Sequence, residues 1–298
     1  MGYLFLAISL FAGATKGYCG KKTSGYVNGY KDAMLANTIR MVLCTLIGAV
    51  LIIAGGDIGC LAPDPQILAI SALSGVTTSV FVVCWLISVK KGAYMMLDVF
   101  LMLGVLVPII AGQFVFGEAI KLTQWIGIGV LFVAVMIMCS YNNSIKEKMS
   151  LSAMVLLIVC GVANGLTDFS QKLFVKQFSG VPISVFNFYT YVFSAAVLGV
   201  FLIIFSIKER SQSTAGVSGL KHILGYIAVM SVCLFANSFF KTKAAGFLDS
   251  AQLYPLNQGL ALMLSSIMSA VLFNERLTFK CIIGLVLSFA GLIIINVL

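Results

Sequence analysis

The 298-residue chain is 60% hydrophobic and only 10% charged, with a mean hydropathy of +1.07, whereas an average soluble chain carries about 25% charged residues. These values exclude a soluble globular domain and mark an integral membrane protein. The formal net charge of +9 comes from lysines scattered in twos and threes between apolar runs. That is the pattern of loops that set orientation and touch anionic lipid, and it argues against nucleic acid as a partner.

The apolar runs are continuous and lack the alternation of barrel strands, so the expected fold class is an all-α integral membrane protein. At about 20 residues per span, the length allows about ten transmembrane helices. The first run, 2–19, has no basic segment before it and carries Lys16 only near its end, so it reads as a span and not as a cleaved signal. The second, 32–54, carries Arg40 near its middle and is followed by the loop GGDIGCLAPDP. The third is 66–89. The fourth, 93–116, has Asp98 one turn in and Pro108 in its interior, where a proline kinks a helix. After the fifth, 122–140, comes the polar run YNNSIKEKMS, a seam between two halves. The sixth is 151–175, and the seventh, 182–206, has Asn187, Tyr189 and Tyr191. The eighth, 222–245, bears Asn237 and Lys241. The ninth, 249–273, carries Tyr254, Pro255, Asn257 and Gln258, and the tenth is 279–298. The eight cysteines have no CxxC spacing and lie almost all in apolar runs, as packing residues do.

The densest polar stretch inside an apolar run is GVANGLTDFSQK, 161–172. A helix gathers Asn164, Asp168, Gln171 and Lys172 on one face. A face with both a carboxylate and an ammonium avoids lipid, since a charge at the bilayer centre costs about 2.5 to 3.5 kcal/mol on insertion scales. Two readings stand. One is an intrahelical pair of Asp168 with Lys172 near the interface, where Lys can snorkel. The other is the lining of a transport cavity. Arg40 either braces the bundle or contacts solute, with Asp98 or Asp168 as its expected partner. Tyr254, Asn257 and Gln258 share a face beside Pro255 and suit hydrogen-bonded recognition without fixing charge. Lys16, Arg40 and Lys172 against Asp98 and Asp168 leave a surplus of one positive charge. An anionic or zwitterionic solute would balance it. Trp85 and Trp125 read as interface anchors. Glu118 and Glu275 read as caps of the helix following each. Gly127, Gly129, Gly284 and Gly291 read as close-packing positions.

The halves repeat. A shift of 157 lays FGEAIKLTQWIGIGVLFVAVMI on FNERLTFKCIIGLVLSFAGLII, pairing Glu118 with Glu275 and Gly127 with Gly284. The division is residues 1–140, a linker at 141–150, and 151–298. Five spans per half give two inverted five-helix repeats. With Arg40 in TIRMVLCTLIGAVLII, and with Pro108 and Pro255 upstream of the two Glu-bearing turns, the chain resembles a ten-span EamA-type member of the drug/metabolite transporter superfamily. The resemblance implies secondary transport by alternating access, with a cavity between the halves. Related small multidrug-resistance proteins carry a membrane-embedded glutamate in the first helix. This chain has no acidic residue there, which argues against cation export by that mechanism. The bias of Lys and Arg toward alternate loops puts both termini outside, whereas the resemblance implies termini in the cytoplasm.

The function expected is secondary active transport of a small polar metabolite across the cell membrane, driven by protons or by exchange. The coupling candidates are Asp98 and Asp168. The solute-contact candidates are Arg40, Asn164, Gln171, Lys172, Asn187, Tyr191, Asn237, Tyr254, Asn257 and Gln258. No cofactor or metal is expected, and the partners are the small-molecule substrate and the lipid bilayer, with the chain a monomer or homodimer. One alternative is a drug exporter of the same fold. Another is an intramembrane aspartyl enzyme built on Asp98 and Asp168, but no HExxH or GxSxG occurs and the single histidine, His222, lies at a loop edge. Without a phosphate-binding glycine loop, ATP would not drive transport.

Overall fold

The computed structural model describes residues 1–27, 30–61, 64–90, 100–139, 151–208, 220–272 and 279–297. Among them are ten α-helices and no strand. These are α1 (Gly2–Ser24), α2 (Tyr30–Gly55), α3 (Pro65–Lys90), α4 (Leu106–Phe116), α5 (Leu122–Cys139), α6 (Leu151–Gln177), α7 (Ile183–Lys208), α8 (Leu220–Ala245), α9 (Ser250–Leu272) and α10 (Phe279–Val297). Asp98, Glu275 and the linker 141–150 lie outside the described residues. Among the described residues, five helices are long and apolar enough to cross a membrane singly, namely α2, α3, α7, α8 and α9, while α4, α5 and α10 give shorter apolar stretches. The helices α1 and α6 carry lysines and, in α6, the carboxylate of Asp168.

Two local features of the spans have identifiable causes. The fourth span carries the expected disruption: its helical residues 100–104 are interrupted at Val105, which keeps right-handed helical dihedrals of φ −60° and ψ −27°, before α4 begins. Proline lacks the N–H that would reach the carbonyl four residues back, and its ring crowds that carbonyl. The break falls one turn upstream and leaves Pro108 in the first turn of α4, where proline is tolerated. Pro255, in contrast, sits inside an unbroken α9. The expected loop after α2 contains a 3-10 turn, Asp57–Leu61. Gly56 enters it at φ 75°, a conformation that favours glycine. Asp64 then accepts the N–H of Gln66 at 2.9 Å, an N-cap with Pro65 as first residue of α3.

The packing is two-fold in pattern. Exchanging each helix with the one five later carries the pair α1·α8 into α6·α3, α2·α8 into α7·α3, α1·α9 into α6·α4 and α1·α3 into α6·α8. The pairs α2·α7 and α5·α10 map onto themselves. Such a set is what two five-helix repeats around one axis produce, and an odd number of spans inverts one against the other.

Backbones approach closely where glycines meet. A Cβ on Gly104 would lie 2.0 Å from the Gly161 carbonyl oxygen, and one on Gly165 would lie 2.2 Å from that of Gly104. In α5·α10, a Cβ on Gly127 would lie 2.8 Å from the Gly291 oxygen. Gly129 faces open space, so its expected packing role is corrected. Large apolar residues such as Phe11, Phe114 and Phe279 point outward, as a lipid-facing surface requires. Inside, one apolar cluster contains Cys44, Phe81, Trp85 and Phe235. A second contains Leu10, Ile109, Tyr254 and Leu292.

Candidate functional site

A cavity of about 90 Å³ opens within the bundle and touches both clusters, at Leu10 on one side and at Phe81, Trp85 and Leu101 on the other. Its polar lining comes from four helices: Lys16 of α1, Asn164 of α6, Asn237 and Lys241 of α8, and Asn257, Gln258 and Ser265 of α9. Of the expected contacts the structure therefore gathers Asn164, Asn237, Asn257 and Gln258. Among the described lining residues the charged ones are Lys16 and Lys241, both cationic.

Lys241, noted in the sequence beside Asn237, is the residue missing from the expected site. It forms a buried ion pair with Asp168 across α6 and α8, the carboxylate fully buried. Asn164 Nδ2 donates to the other carboxylate oxygen at 3.5 Å. The Tyr254 hydroxyl donates to the main-chain oxygen of Asp168 at 2.7 Å, tying α9 to α6. Tyr254 thus does not join Asn257 and Gln258 at the cavity, although all three share a helix face. The signal that could have found Lys241 is its position one turn from Asn237, on the same face of α8.

Asn237 clasps α1. Its Nδ2 donates to Ser9 O at 2.8 Å and to Ser9 Oγ at 3.0 Å, and Ser9 Oγ donates back to Asn237 O at 2.9 Å. The buried Asn257 Oδ1 has no protein partner. Lys16 stands over the rings of Phe81 and Trp85, 5.6 and 5.8 Å from their centroids. Trp85 is only 5% exposed and lines the cavity, so it is not an interface anchor. Trp125, 39% exposed at the start of α5, keeps a position suited to one.

The remaining candidates lie elsewhere. Gln171 Nε2 donates to Ser238 Oγ at 3.1 Å, which donates to Asn187 Oδ1 at 2.8 Å, a polar chain joining α6, α8 and α7. Arg40 is buried, and its Nη1 donates to Asn37 Oδ1 at 2.5 Å. Neither expected partner is seen on it: Asp168 is held by Lys241, and Asp98 lies outside the described residues. Tyr191 is buried and donates to Leu234 O at 3.4 Å. None of these candidates is among the residues that line the cavity.

Lys172 also departs from both of its expected roles. It is 1% exposed and pairs with Glu118 at 3.0 Å, not with Asp168. Its ammonium donates to Ala245 O at 3.1 Å and Leu248 O at 2.6 Å, where α8 ends and cations are favoured. Gly117, left-handed at φ 65°, closes α4 and turns the chain so that Glu118 faces this point. Glu118 Oε2 accepts the Ser250 N–H at 2.8 Å, so it caps α9 and not the helix that follows it. That helix, α5, is capped by Gln124, whose Oε1 accepts the Lys121 N–H at 3.0 Å. Burial pushes the Glu118 carboxyl up, but the hydrogen bonds from Ser250 and Lys172 outweigh it and hold the group below its ordinary value. Among the described residues no group of three metal-binding side chains occurs.

Among the described residues, helices packed in a two-fold pattern around a polar cavity, five of them long and apolar enough to cross a membrane, define a multi-pass membrane protein. Residues 151–297 match the model of the EamA-like transporter family, so the second half of the chain is similar to membrane transporters of that family. A solved crystal structure, described only as that of a protein, superposes with TM-score 0.73 over 99% of this chain and 96% of its own, at 14% identity. That likeness shows a shared fold. No curated protein matches the sequence.

Proposed function

We propose that the protein is a secondary active transporter that moves a small anionic or zwitterionic metabolite by alternating access, coupled to protons or to a counter-solute. The observation that carries this reading is the lining itself: two ammonium groups and four side-chain amides around about 90 Å³. Ammonium groups attract a carboxylate or phosphate, and amides orient it through hydrogen bonds without adding charge. The unpartnered Oδ1 of Asn257 supplies an acceptor for a hydroxyl or amine of the solute. The repeats supply the mechanism, because rocking one half against the other exposes a central site to each side in turn.

Thermal-shift measurements on the purified protein test the substrate class, since ligand binding to the folded state raises apparent stability by mass action, about 2.7 kcal/mol at 100 Kd. Amino acids or organic acids are expected to raise Tm. Stabilisation by lipophilic cations alone would favour the drug-exporter reading.

A further inference from the structure

The Asp168–Lys241 pair is asymmetric toward the cavity. Lys241 lines it and Asp168 does not; the carboxylate is fully buried and the ammonium side chain is 8% exposed. A solute carboxylate entering the cavity meets Lys241 first, and two carboxylates then compete for one ammonium. Leaving the displaced one charged in a low-dielectric interior is costly. What remains beside it is the Asn164 amide at 3.5 Å.

We infer that a solute carboxylate replaces Asp168 on Lys241, and that Asp168 takes up one proton as it is released, so each carboxylate is bound together with one proton. The step balances. Lys241 keeps its protons, one O–H bond forms on Asp168 with a proton supplied by the bulk buffer through the cavity, the buffer acid becoming its conjugate base, and nothing is oxidised or reduced. The pair is neutral before, and the set of solute carboxylate, ammonium and carboxylic acid is neutral after, so the exchange leaves the charge of this set unchanged. Among the described residues, the groups acting on Asp168 from packed elements are Lys241 of α8 and, through space, Lys16 of α1. The Tyr254 hydroxyl of α9 engages the main-chain carbonyl and not the carboxylate. On α6 itself, Lys172 lies one turn away and is held by Glu118. The inference rests on the cavity being the solute site and adds the receiving lysine, the ligand group and the proton stoichiometry.

Calorimetric titration of the purified full chain with alanine, glutamate and succinate, in buffers of different ionisation enthalpy, counts protons taken up per solute. The expected count is one, with Kd tightening tenfold per unit fall in pH wherever Asp168 is charged before binding. Asp168→Asn should bind without proton uptake and at least tenfold tighter at neutral pH, its internal competitor gone. Lys241→Arg should retain binding and Lys241→Gln should lose it. Where a variant does not fold, infrared difference spectra of the wild type should show a protonated carboxyl appearing with solute. Binding without proton uptake, as when Lys16 takes the place of Lys241 beside Asp168, overturns the inference and leaves the cavity reading standing. Proton uptake that survives in Asp168→Asn does the same. Binding of none of the three, or of tetraphenylphosphonium alone, refutes the cavity reading and the inference with it.

Discussion

Glu118→Gln isolates the contribution of one charge at the junction of α6, α8 and α9. Glutamine keeps an acceptor for the Ser250 N–H but removes the negative charge from Lys172, which is 1% exposed. Breaking a buried ion pair by removing one partner costs about 3–5 kcal/mol. Lys172 retains two carbonyl acceptors at the end of α8, so the expected loss is near the lower end, about 3 kcal/mol. For a chain of this size that corresponds to a fall of roughly 5–10 °C in apparent Tm, read at fixed scan rate in detergent because unfolding of such proteins is seldom reversible. The pH dependence has a definite sign. The folded-state value of Glu118 is depressed, so its contribution is present above the unfolded value of about 4.3 and is lost as pH falls through the folded value. The gap between wild type and Glu118→Gln should therefore be full at pH 7 and close below pH 4. Equal Tm at pH 7, or a gap undiminished at low pH, would refute the argument.

Other changes have outcomes set by the same geometry. Gly165→Ala places a methyl 2.2 Å from a backbone oxygen and should cost more than the 1–3 kcal/mol typical of overpacking, whereas Gly129→Ala, in open space, should stay within about 0.5 kcal/mol of wild type; thermal unfolding of the two side by side checks this. Tyr254→Phe removes one buried hydrogen bond to Asp168 O and should cost about 0.5–1.5 kcal/mol in the same assay. Cys60 is exposed in the turn between α2 and α3, whereas Cys19, Cys44, Cys84 and Cys160 are buried. With ten spans, an impermeant maleimide should reach Cys60 from the same membrane face that carries a reporter on Leu298, and opposite faces would overturn the span count. The same labelling decides between the orientation given by the lysine bias and that implied by the family.

Spans were legible because a bilayer imposes one length and one polarity on every crossing segment, and the expected boundaries fall within a few residues of most helices. The break at Val105 was half legible: Pro108 signals a disruption, but whether a helix bends or restarts depends on its neighbours, here the glycine contact of Gly104 with α6. Asn164 and Asp168 could be placed on one face from spacing alone. Their partner could not, because Lys241 stands 73 positions away and helical periodicity says nothing about which helix comes alongside. The i, i+4 rule proposed Asp168 with Lys172 for the same reason, and tertiary packing gave each a nearer counter-charge. Trp85 looked like an anchor because it lies near a span end, yet Gly20 admits it: a Cβ there would meet the indole at 2.3 Å. Pairing through space, not residue type, separated cavity from brace.

The account turns on whether the cavity carries solute. Counterflow in proteoliposomes measures it most directly: vesicles loaded with unlabelled alanine, glutamate or succinate are given the labelled solute outside. The prediction is transient accumulation of at least one of the three, saturable and absent in Lys241→Gln protein that retains wild-type elution and helicity. Accumulation undiminished in Lys241→Gln, or none for any of the three beside accumulation of a lipophilic cation, would contradict it.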